Sequence, residues 1–185
     1  MNPHHRDEIL SGLADAQAEW VTFAAGLPLD TFFAAPAGGW PPVTHLRHLT
    51  LTHRRVTQGL LVPRPALRAL FGRPGTARPY PELITAYRAA LAAGGRAPAR
   101  YVPAPDTTPS EAVRAGVMDA YTRGAEALRA ALDRWPDDRL DRSALPHDLL
   151  GRVSARELAF FALYHDLHHL RGVQNVLNPQ ALEIP

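Results

Sequence analysis

The chain contains no cysteine and no lysine. Lack of cysteine excludes a disulfide scaffold, a thiolate metal site and a cysteine nucleophile together. Lack of lysine makes all 20 basic residues arginine, so the pI of 9.4 reflects arginine's high pKa acting on a net charge of only +2. The arginines are scattered among Asp and Glu, whereas a nucleic-acid surface gathers its cations on one face. Also missing is any apolar run near the ~18 residues that span a bilayer. The opening segment from Met1 to Glu8 is polar, without the apolar core of a signal peptide. The expectations are a cytoplasmic protein with no nucleic-acid partner and no membrane partner.

What is present suits one domain over residues 1–185: 46% hydrophobic and 21% charged residues, enough to build a core without cross-links. Residues 5–26 place Ile9, Leu13, Ala16, Trp20 and Phe23 at helical spacing, with Asn2 and Pro3 as cap and first turn. A second helix spans Pro42 to Leu61. Thr108-Pro109-Ser110-Glu111 reads as a capping box opening a third helix that runs to Trp135-Pro136. A second box, Ser154-Ala155-Arg156-Glu157, opens a fourth helix reaching Leu177. No segment alternates with the period of two that marks a strand. Between the second and third helices lie nine of the 18 prolines, from Pro63 to Pro109, with room for short helices near 64–71 and 82–93. The fold class is therefore all-α: a four-helix bundle with a long proline-rich crossover between helices 2 and 3.

On the fourth helix, Leu158, Phe161, Ala162, His165, His169, Val173 and Val176 share one face at ~100° per residue. His165 and His169 sit one turn apart in an apolar stripe, with Cβ atoms roughly 6 Å apart, a separation at which two imidazoles reach one metal ion. A lone buried histidine is usually satisfied by hydrogen bonds. Two together repel if both protonate, and a shared cation removes that conflict. His168 lies off this face and suits a surface or supporting role. A third ligand has to come from another helix, where His45, His48 and His53 compete. Helical periodicity puts His45 and His53 nearer the core than His48.

The order Gly39-Trp40, His48-Leu49, Leu150-Gly151 and His165-Asp166-Leu167-His168-His169 with Gln174 beyond resembles the DinB/YfiT-like superfamily. Pro41 departs from that pattern, where a polar residue usually follows the tryptophan. The resemblance implies an up-down-down-up helical bundle, commonly dimeric, with one divalent metal on three histidines. Matched by motif, these are His48, His165 and His169. It further implies a metal such as zinc or nickel and a low-molecular-weight thiol. The activity it implies is that of S-transferases joining such thiols to electrophiles, or of thiol-dependent isomerases.

Three imidazoles leave coordination positions open, as catalytic sites do. A thiol transferase, a metal-dependent hydrolase and a non-catalytic metal- or ligand-binding stress protein all stay open, since neither Asp166 nor Glu157 reads as a general base. Arg47 and Arg171 neighbour the ligands in sequence and are candidates to grip an acidic thiol cofactor. Finally, Phe160, Leu163, Leu167, Leu170 and Leu177 form a second apolar strip on the fourth helix. Such a strip asks for a homodimer, unless the proline-rich segment 62–108 folds over it.

Overall fold

The computed structural model describes residues 2–36, 39–104 and 108–178. Its helices are α1 (Arg6–Gly26), α2 (Leu29–Phe33), α3 (Pro42–Leu61), α4 (Arg64–Phe71), α5 (Tyr80–Ala92), α6 (Glu111–Asp133) and α7 (Ala155–Leu177). Of the four long ones, α1 and α3 each pack against both α6 and α7. Among the described residues, no helix is long and apolar enough to cross a membrane.

The helix ends follow local chemistry. At α3 the first helical residue is Pro42, a position whose missing N–H would have had no partner anyway. At α7 the expected capping box is complete. Ser154 Oγ accepts from the Glu157 N–H at 3.1 Å, and the Glu157 carboxylate accepts from the Ser154 N–H at 2.7 Å. Two expected caps are corrected. Helix α6 starts at Glu111, and its cap is Ser110, whose Oγ accepts from the Val113 N–H at 3.2 Å. Pro109 therefore precedes the cap, and the box proposed at Thr108–Glu111 has no helical turn to close. At α1 the cap falls on His5, not Asn2: the Glu8 carboxylate reaches back to the N–H groups of His4 (2.6 Å) and His5 (3.1 Å).

The absence of strands is also corrected. β1 (Ala144–His147) and β2 (Gly151–Ser154) form an antiparallel hairpin, pairing Leu145 with Val153 and His147 with Gly151. Each strand has only four residues and buries two adjacent positions at its helix-proximal end, so no alternation is written into it. Gly151 takes a φ of 72°, which favours glycine in the return turn. The hairpin ends at the cap of α7, and its Leu145 packs on α3 at Gly59.

Buried apolar residues gather in two clusters. One joins Ile9, Leu13, Val56, Leu60, Leu128, Leu132 and Leu163. The other joins Trp20, Phe32, Val43, Leu46, Leu49, Tyr121 and Leu170. Phe160, Leu163 and Leu170 of the second apolar strip are buried within the chain itself, Phe160 meeting Tyr80 of α5 edge-on at 5.4 Å. Leu167 and Leu177 remain partly exposed. Most of the strip is thus covered without a second copy, and it no longer argues for a homodimer.

Candidate metal centre

Helices α3 and α7 cross with His48, His165 and His169 facing one another. His165 Nε2 lies 3.2 Å from His48 Nε2 and 3.0 Å from His169 Nε2. One ligand atom from each residue can be chosen so that all lie within 4.8 Å of one another. Tetrahedral zinc with ~2.05 Å bonds to nitrogen would place its ligands roughly 3.3 Å apart, close to these separations. The site is enclosed, with His48 and His165 at 3% and 5% exposure.

A carbonyl partner fixes the proton on one of these rings. The His48 Nδ1 lies 2.7 Å from the Tyr101 carbonyl, which only accepts, so the ring proton is on Nδ1 and the neutral ring turns a bare Nε2 toward His165. The His169 Nδ1 faces the His45 Nδ1 at 2.8 Å. With His169 as the donor there, its Nε2 is bare as well, and His45 accepts. Burial, reinforced by neighbouring imidazoles, pushes the pKa values of His165 and His169 well below the ordinary histidine range. Burial also lowers that of His48. Convergent, neutral, desolvated nitrogens are what a divalent cation requires, so the residues present fit the metal.

The surroundings hold the rings in place. Trp40 lies 5.2 Å from His48 and stacks parallel to His169 at 6.4 Å, which gives the Gly39-Trp40 motif a structural role. His45 has its pKa lowered to about 4, mainly by burial and then by His48, against a hydrogen bond to the Trp40 backbone. The Tyr101 carbonyl comes from a 3-10 turn, Ala99–Tyr101, in the long connection between α3 and α6. That connection therefore reaches the centre directly.

Sequence reasoning placed His53 near the core, and the structure agrees, yet His53 is no part of this centre. Its Nε2 donates to Asp166 at 2.8 Å, and Tyr121 donates to the same carboxylate at 3.3 Å. Asp166 faces away from the triad, as expected. Glu157 caps α7 and receives Arg78. His168 is exposed and stacks on Tyr164 at 5.6 Å.

A cavity of about 460 Å³ opens beside the triad, walled mainly by Val56, Leu67, Phe71, Leu149, Leu158 and Phe161. Its size falls in the range of small-molecule sites. Arg55, Arg96 and Arg100 also line it; Arg100 pairs with Asp148 and lies over the Tyr101 ring. The two arginines singled out by sequence lie elsewhere. Arg171 faces Glu19 at 3.6 Å on the exposed side of α7, and Arg47 borders a separate groove with Pro103 and Val113. Neither lines this cavity, since consecutive helix residues point about 100° apart. His147, on the hairpin, enters the cavity wall with no signal in the sequence.

No curated protein and no solved structure matches this chain. The sequence profile of the DinB superfamily matches residues 7–172, a span that holds all three histidines of the triad and the tryptophan stacked on His169, and the chain belongs to that superfamily.

Proposed function

We propose that this chain is a divalent-metal-dependent transferase that joins a low-molecular-weight thiol to an electrophile held in the cavity. The carrying observation is the convergence of His48, His165 and His169 at one end of an apolar cavity of ligand size. In this reading the four long helices form the up-down-down-up bundle of the family, and the proline-rich connection walls the cavity. When bound, a zinc- or nickel-like ion supplies Lewis acidity and a positive charge that favours the deprotonated form of an incoming thiol. The chain itself orients the three imidazoles through the Tyr101 carbonyl and His45, and excludes water with Trp40 and the apolar walls. It also leaves the nucleophile to a small molecule, consistent with the lack of any cysteine.

An acidic thiol would meet arginine at the cavity, where Arg55, Arg96 and Arg100 are placed, with Arg47 and Arg171 as the comparison pair. Metal analysis of the purified protein, followed by a thiol-conjugation screen with chlorinated and epoxide electrophiles, tests the proposal. Turnover that depends on metal, on thiol and on His165 supports it. Metal-dependent hydrolysis of an ester without thiol would replace it with the hydrolase reading. For the arginines, a raised KM for the thiol in Arg55→Ala and Arg96→Ala is expected, with no change in Arg171→Ala. Light scattering decides the oligomeric state.

A further inference from the structure

His147 occupies the last position of β1 and lines the cavity, although neither the metal triad nor the core uses it. Its Nδ1 accepts from the N–H groups of Leu149 (3.2 Å) and Leu150 (3.1 Å), the residues that turn the hairpin. Backbone N–H groups only donate, so the Nδ1 carries a lone pair and the ring proton must sit on Nε2. The turn thereby fixes both the tautomer and the direction of the ring. No described residue takes the Nε2–H, and the atom is not sealed in protein. The ring meets Phe161 edge-on at 4.2 Å, and Phe161 stacks on the metal-ligand candidate His165 at 4.8 Å. One aromatic ring thus separates this donor from the triad.

We propose that His147 Nε2–H is the recognition group for an uncharged carbonyl oxygen, and that the cavity takes apolar-bodied ketones, esters or amides as its organic ligand. The proposal rests on the reading above that this cavity holds the electrophile. Two observations select the class. The cavity walls include Val56, Leu149, Leu158 and Phe161, which favour an apolar body. Burial lowers the His147 pKa to about 4, so the ring is a neutral donor at neutral pH, suited to a neutral acceptor.

The test is calorimetric titration of 2-octanone and of 1-chlorooctane, a chain of similar size with no carbonyl, into the full protein. Both metal-free and zinc-loaded protein are titrated. Two variants accompany the wild type. His147→Asn retains an acceptor for the turn N–H groups and deletes the cavity donor; His147→Phe keeps the ring volume and deletes both. Wild type is expected to bind the ketone more tightly, and His147→Asn to lose about five-fold in ketone affinity, as for one neutral hydrogen bond. Binding of 1-chlorooctane should stay unchanged in His147→Asn. Equal ketone affinity in wild type and His147→Asn overturns the proposal, as does a wild type that binds neither compound or shows no preference for the ketone. Failure of the metal reading shows separately, as a protein that takes up no zinc while the metal-free titrations still report on His147.

Discussion

Helices α3 and α7 meet twice through buried polar side chains, with opposite outcomes. At the triad, the Nε2 atoms of His48 and His169 both approach that of His165, and among the described residues only imidazoles meet there. At the other meeting, His53 at 1% exposure donates to Asp166, itself at 1%, with Tyr121 donating to the same carboxylate. This pair sits at the seam between the two apolar clusters, between Leu49 and Val56 on α3 and between Leu163 and Leu170 on α7. The Trp20 indole donates to the Asp166 carbonyl at 3.0 Å and ties α1 into the same seam. Burial alone therefore does not mark a metal ligand. What separates the two is whether the imidazole finds a carboxylate or only other imidazoles.

Breaking each side of this comparison should have distinct effects. The largest is at the triad: alanine at His48, His165 or His169 should abolish metal uptake while leaving the helical circular dichroism of the metal-free protein intact. Full metal content in purified His48→Ala would remove α3 from the centre. Next comes the seam. Asp166→Ala strands His53 without its acceptor and should cost about 3 kcal/mol of stability, as for a broken buried pair. The double variant Asp166→Leu with His53→Leu should recover much of that loss. Denaturant titration of metal-free protein reads both, and a double variant no more stable than Asp166→Ala would contradict the pairing.

A smaller effect is expected at His45. Replacing it with Phe keeps the packing against Trp40 but removes the acceptor for His169 Nδ1. Metal affinity should fall about 10- to 100-fold, the usual cost of losing such an outer partner, with full stoichiometry still reached at saturating metal. An unchanged affinity in competition with a chelator would show that His45 does not orient His169.

Acid should act gently at first. The folded-state pKa values of His45 and His147 are lowered to about 4 by burial, against ~6.5 in the unfolded chain. The unfolded state therefore binds more protons between these values. Stability of the metal-free protein should be constant above pH ~6.5, decline as pH falls toward 4, and lose nothing further from these two groups below that. The same burial keeps the triad deprotonated in moderate acid, so metal should be retained below the pH at which ordinary imidazoles protonate. A release midpoint at or above pH 6.5 would speak against a buried three-histidine centre.

The sequence by itself determined the local features. Periodicity located the four long helices, Pro42 and the Ser154 box marked two starts, and the i, i+4 spacing of His165 and His169 put them on one face. Those are properties of neighbouring residues on one helix, where 3.6 residues per turn does the geometry. The choice among His45, His48 and His53 was different. Periodicity preferred the wrong pair, and only the resemblance to a family selected His48. The reason is physical: a helical wheel ranks residues by distance from the core stripe, while ligation depends on what another helix presents at the same height. His53 lies deeper, but at its height α7 presents Asp166. The hairpin, the His147 tautomer and the arginines at the cavity were equally invisible. Each is set by packing between segments far apart in the chain, and no local pattern encodes it.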